Sequence, residues 1–189
     1  MSRERKTGLA GKACYSWGMF ASSTITPVTR FRRFDANGDL TPLLDVYERA
    51  IGGLDPHLYS HAQRQAWRHW GDDTGKALHC LNRGLTVVAL QGDRLAGFAQ
   101  LYPYNLINML YVAPEHSRQG IGTQLVFKLE KVARRRGVEV LETRASHASR
   151  RVFSRCGFQL TGSDVVHAGG VAIARNLMIK TLQSDPKDA

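Results

Sequence analysis

From Val28 onward the apolar residues fall into runs of two periods, near two and near 3.6. Residues 28–34 alternate roughly as a strand does. Asp39 stands as an N-cap before a helix with Leu40, Leu43, Leu44, Tyr47 and Ile51 on one face, which Gly52-Gly53 should end. A second helix is predicted from about Ser60 through Trp67 and Trp70, with a break at Gly71-Asp72-Asp73 before a short helical piece to Asn82. Residues 85–90, rich in valine, and residues 94–101 flank Gly92-Asp93 as a hairpin. A third strand, 106–112, follows the turn at 102–105 and should stop at Pro114. Residues 120–136 read as an amphipathic helix with Ile121, Leu125, Leu129, Val132 and Ala133 inward and Gly137 as its stop. A strand over 138–145, a helix over 148–156 and strands over 158–166 and 171–182 complete the pattern. Strands joined first by a hairpin and then alternating with helices predict an α/β fold, a mixed sheet with helices on both faces.

The first 26 residues do not share this pattern. They hold Arg3, Arg5, Lys6 and Lys12, frequent Gly and Ser, and an apolar stretch at 17–21 too short for the core of a signal peptide. A poorly ordered basic extension is expected there, with a start at Met19 or an organellar presequence as other readings. Residues 27–183 form the expected domain, and 184–189 a tail. At 189 residues the chain suits one domain, and no apolar run is long enough to span a bilayer.

Cys14, Cys80 and Cys156 are odd in number and far apart, which predicts neither a disulfide framework nor a zinc ribbon and fits a reducing cytoplasm. The seven histidines show no ligand spacing, so no metal is expected. Net charge changes the picture more. At +10, the chain invites a polyanionic partner: nucleic acid, or a small polyanion such as coenzyme A. A basic surface with no anionic partner is the plain alternative.

One stretch carries chemistry. In residues 110–123 a strand ends at Leu110-Tyr111-Val112, Pro114 follows, and Arg118-Gln119-Gly120-Ile121-Gly122-Thr123 opens the long helix. Main-chain N–H groups at such a turn have no intrahelical acceptor and converge with the positive end of the helix dipole, an anion site. Glycine there lets a phosphate approach the backbone. No Gly-Lys-Ser/Thr follows, as a Walker loop needs, and the third glycine of a dinucleotide fingerprint is missing.

Strand, proline, GxG, amphipathic helix, strand, short helix and then Phe153-Ser154-Arg155-Cys156-Gly157-Phe158 together resemble the GNAT superfamily of acetyltransferases. The block 118–123 looks like its acetyl-CoA signature, and the hairpin with Ala96-Gly97-Phe98 like the strand before it. Tyr59-Ser60 with Ala66-Trp67, and Met109-Leu110-Tyr111-Val112, resemble small bacterial members of the YafP type. The resemblance implies a splayed sheet, commonly opened by a bulge, with acetyl-CoA as co-substrate lying against the 110–112 strand end and the 118–123 loop. The strand's amides would then hold the pantetheine and polarise the thioester carbonyl. It further implies direct transfer of acetyl to an amine.

Two positions depart from the family. Ser117 replaces the usual Gln or Arg of the signature, and Phe153 replaces the tyrosine that often protonates the departing thiolate. Ser149, with Ser146 and Cys156, is then a substitute proton donor, and Ser146 could equally cap a helix. Glu142, well inside its strand, is a candidate general base; Tyr111, His116 and His147 are weaker ones. Tyr59 and Trp67, with His61, His69 and Trp70, form a candidate acceptor wall. The acceptor would be a small-molecule or peptide amine, with no membrane partner, nucleic acid disfavoured and a homodimer left open. A CoA-binding sensor that no longer catalyses is the rival reading.

Overall fold

A computed structural model describes residues 28–183; the readings made for residues 1–26, Met19, Cys14 and the 184–189 tail lie outside them. Seven strands and five helices follow one another as β1 (Thr29–Arg33), α1 (Leu40–Gly52), α2 (His61–Arg68), α3 (Thr74–Leu81), β2 (Leu85–Gln91), β3 (Arg94–Leu101), β4 (Leu106–Val112), α4 (Ile121–Arg135), β5 (Val140–Ala145), α5 (His147–Arg155), β6 (Gln159–Ala168) and β7 (Val171–Thr181). The strands make one mixed sheet in the order β1-β2-β3-β4-β5-β7-β6, antiparallel except where β4 meets β5. Helices cover both faces. The α4 and α5 face buries Ile121, Leu125, Leu129, Ala133 and Phe153 against Leu101, Ile107 and Leu141, while α1 and α3 bury Leu43, Val46, Tyr47, Ile51 and Leu81 against Val88 and Phe98.

Several local readings are corrected. Asp39 precedes α1 but does not cap it; its buried carboxylate is turned back to Arg32 and to the Asp35 amide, because a full guanidinium charge attracts it more strongly than a helix end. The helix at 61 stops at Arg68, and a 3-10 turn, His69–Gly71, carries Trp70. A capping box closes its start: Ser60 Oγ accepts from the Gln63 amide at 3.2 Å, and the Ser60 amide donates to Gln63 Oε1 at 2.9 Å. β6 runs on to Ala168. In α4, Val132 is only half-buried, whereas Val126 and Glu130 are buried. Glu130 tolerates this because Lys180 and Arg134 each lie within 2.7 Å of its oxygens.

Two features of the sheet open a gap in it. β4 and β5 pair only at Leu106↔Glu142 and Ile107↔Thr143, then part. On its other side β4 carries a bulge: Gln100 pairs with Met109 and Leu101 with Ile107, leaving Asn108 as an extra residue. Plain alternation would set Ile107 and Met109 on one face. The bulge sends Ile107 into the α4-side core and Met109 into the α1-side core.

Candidate active site

The parted strands open a cavity of about 800 Å³. Its walls are the free edge of β4, the last residues of β5, the start of α5, the aromatic layer of α1 and α2, and the far end of β6 and β7. The Ala113 amide donates to Ala96 on β3, so alternation turns the peptide groups of Leu110 and Val112 the other way, toward the gap. The close approach of β3 and β4 depends on Gly97, where a Cβ would lie 2.8 Å from the Tyr111 carbonyl oxygen.

Beside this edge lies the loop ahead of α4. Arg118 (φ 60°) and Gly120 (φ 81°) are both left-handed, a conformation that costs a non-glycine residue free energy. No side chain caps α4, whereas α2, α3 and α5 are capped by Ser60, Asp73 and Ser146. The first-turn amides of α4 therefore face outward without a side-chain acceptor. The loop side chains have other work. Gln119 accepts from Gln91 Nε2 at 2.7 Å and donates to the Glu115 carbonyl at 3.2 Å, and Ile121 is buried in the core. From Gly120, Ile121 and Thr123, what reaches the mouth of the helix is backbone.

Of the residues nominated from sequence, Leu110, Tyr111, Val112, Gly122, Trp67 and Ser149 line the cavity. Arg118, Gln119, Gly120, Ile121 and Thr123 build the loop at its mouth without lining it.

Two nominations are corrected. Glu142 is exposed, pairs with Leu106 at the closed end of the strand pair and lies outside the cavity. Its place along the strand explains this: at Glu142 the two strands are still paired, and the cavity begins at Thr143, where they part. Tyr59 is only 2% exposed and lies outside the cavity too. Its hydroxyl accepts the His147 amide at 2.7 Å, so it fastens the start of α5 and forms no substrate wall.

Ser146 is the N-cap of α5, accepting from the Ser149 amide at 3.0 Å, and the two hydroxyl oxygens lie 2.9 Å apart. Phe153 meets the cavity with a hydrocarbon ring packed edge-on to Phe158. Cys156 is buried outside the cavity, and burial pushes its thiol pKa up, which disfavours a thiolate nucleophile. His116 and His147 do not line the cavity.

Sequence reasoning placed His69 only in the acceptor wall, and it missed three features. The first is its partner: His69 reaches the cavity from the 3-10 turn, and its Nδ1 lies 2.6 Å from Asp72 Oδ2. The i,i+3 spacing was the available signal, but in a break between helices it read as a stop. Arg144 and Arg175 also line the cavity, and Arg175 grips Asp164 at 3.0 and 2.6 Å. That bond holds the Asp164 carboxyl below its usual range. Finally, among the described residues no Asp or Glu lines the cavity. Tyr111, stacked on Phe98, has its phenol pushed up to about 12 by burial, and Tyr47 is pushed further in the same direction. Both are neutral hydrogen-bonding groups at working pH. Among the described residues there is no cluster of His, Cys, Asp and Glu fit to hold a metal, and no helix is long and apolar enough to cross a membrane.

The same architecture recurs in known structures. A GCN5-related N-acetyltransferase from Rhodopseudomonas palustris is 30% identical with a TM-score of 0.79, over 82% of this chain and 96% of its own. PaiA N-acetyltransferase from Thermoplasma acidophilum, solved with coenzyme A, is 20% identical with a TM-score of 0.67, over 82% and 99%. YncA from Salmonella typhimurium, solved with acetyl-CoA, is 19% identical with a TM-score of 0.57, over 84% and 96%. No curated protein matches the chain significantly. The profile of the acetyltransferase (GNAT) family matches residues 44–158, the stretch that contains β4, its bulge and the uncapped helix behind it. With that match and the parted sheet, the chain belongs to the acetyltransferase (GNAT) family.

Proposed function

We propose that the protein is an acetyl-CoA-dependent N-acetyltransferase that passes acetyl to a small amine by direct attack in a ternary complex, within a domain over residues 27–183. The parting of β4 from β5 is the observation that carries this reading: it leaves the Leu110 and Val112 peptide edge open on a cavity of about 800 Å³. That edge and the uncapped start of α4 fit a molecule with an amide-rich arm and a diphosphate, and two of the similar structures hold coenzyme A or its acetyl ester. Acetyl-CoA supplies the acyl group as a thioester.

The chain's own groups divide the remaining work. The β4 amides orient the thioester carbonyl and polarise it. An ammonium with a pKa of about 10.4 must lose a proton before it attacks. His69, with Nδ1 engaged by Asp72, offers Nε2 as the acceptor for that proton. The new N–C bond forms as the C–S bond breaks. The thiolate then takes a proton from Ser149, which Ser146 relays from solvent. Cys80 and Cys156 are both free, in keeping with a reducing, cytoplasmic setting. The YafP-type likeness of Tyr59-Ser60, Ala66-Trp67 and residues 109–112 gives no acceptor.

A second reading, a CoA sensor without turnover, is favoured by Phe153 and by the lack of a carboxylate among the described residues that line the cavity. Calorimetry with acetyl-CoA and thiol release over a panel of amines decide between them. Uptake with release is expected; uptake without release supports the sensor; no uptake overturns both.

A further inference from the structure

Among the described residues the side chains that line the cavity include two arginines and no carboxylate, and one of the arginines has no partner there. Arg144, near the end of β5, lines the cavity, and its exposed side chain forms no hydrogen bond or ion pair with any described residue. Its counterpart Arg175 is different. Both oxygens of Asp164 are engaged by that guanidinium, and Arg144 contributes only weakly to the low pKa of Asp164.

The two arginines share a face of the sheet. Arg144 pairs with Leu177, and Arg175 lies two residues along the same strand. This is not the face of the phosphate loop. Leu141 and Ala145 turn toward α4, so Arg144 turns toward the α2 side, away from the start of α4. An anion drawn to Arg144 is therefore not the diphosphate that the α4 amides would hold. The same cavity has an apolar wall of Trp67, Trp70, Met109 and Tyr111. A polycation would find no counter-charge here, since among the described residues no Asp or Glu lines the cavity.

We propose, resting on the acetyltransferase reading, that the acceptor is a small amine bearing a carboxylate beside an apolar body, as an apolar amino acid does, with Arg144 as the anchor of that carboxylate. A guanidinium takes a carboxylate through two parallel N–H donors, which fixes the acceptor's orientation as well as its affinity. A cavity of about 800 Å³ has room for such a molecule beside a thioester arm.

The experiment compares kcat/KM for phenylalanine, phenylalaninamide and phenethylamine, and for the matching leucine set, each expressed per unprotonated amine. The acid should exceed its amide and its decarboxylated amine by about 10- to 100-fold, the range of a charge-assisted hydrogen bond. Arg144→Gln should bring that ratio close to one, and Arg144→Lys should keep part of it, with thermal melting showing that both variants fold. Acids and amides used equally by the wild type, or a ratio that survives Arg144→Gln, would overturn the anchor. So would turnover of the amides or the decarboxylated amines but of no acid, which leaves the acetyltransferase reading in place. Absence of acetyl-CoA uptake would overturn that reading and the anchor together.

Discussion

His69 and Ser149 reach the cavity from different walls, the first from the turn after α2 and the second from α5, so the proposed base and acid would act on opposite partners of the reaction. Removing the base should cost chemistry and spare binding. His69→Gln is expected to lower kcat about 100-fold, within the usual range for general-base catalysis, with acetyl-CoA affinity unchanged by calorimetry. Retention of full turnover would remove His69 from the mechanism. Tyr111 makes a different prediction. Its folded pKa of about 12 lies above the unfolded value of about 10, so its contribution to stability is full below pH ~10 and is lost as pH rises toward 12. Melting temperature should therefore fall over that window, and less steeply in Tyr111→Phe. At this scale the sequence was a partial guide. Leu110, Val112 and Gly122 follow from a motif whose chemistry is in the backbone, which residue order alone can specify. Glu142 and Tyr59 lie outside the cavity because the first sits where β4 and β5 are still paired and the second is drawn to the His147 amide 88 positions away.

The elements hold together through a few ties that periodicity cannot foresee. Glu130 joins α4 to β7 through Lys180, and to its own helix through Arg134, with only 8% of its side chain exposed. Glu130→Ala would leave the Lys180 ammonium partly buried and unpaired, and should destabilise the fold by about 3–5 kcal/mol in urea titration. An apolar-pattern reading passes over such a residue because it treats charge as surface. Gly97→Ala acts on strands instead. The added methyl meets the Tyr111 carbonyl at 2.8 Å and must push β4 outward, at a cost of about 1–3 kcal/mol. A variant that melted like the wild type would mean that β4 yields freely. The helices and strands were legible nearly to their ends, since each helix buries one face and the central strands β2 and β3, covered on both faces, read as apolar runs. Their margins were not: the Trp70 turn and the last residues of β6 rest on tertiary packing and on the hairpin with β7.

Across the whole molecule, the mixed sheet with helices on both faces was legible in the order of the elements, because a hairpin followed by strand–helix alternation has few packings. The insertion of β7 between β5 and β6 was not, since no local pattern names a strand's neighbours. Nor was the depth at which β4 leaves β5, which is set where two strands, a bulge and an aromatic layer meet. That parting has a consequence for how the protein can be disabled. Asn108 matters as one unit of chain length more than as an amide. Asn108→Ala keeps the count and should still take up acetyl-CoA. Excising the residue shortens the strand by one step while both cores keep their side chains, and lets its free edge close up like a zip. Such a chain is expected to fold, by circular dichroism, and to ignore the coenzyme: an intact scaffold whose door has been sewn shut.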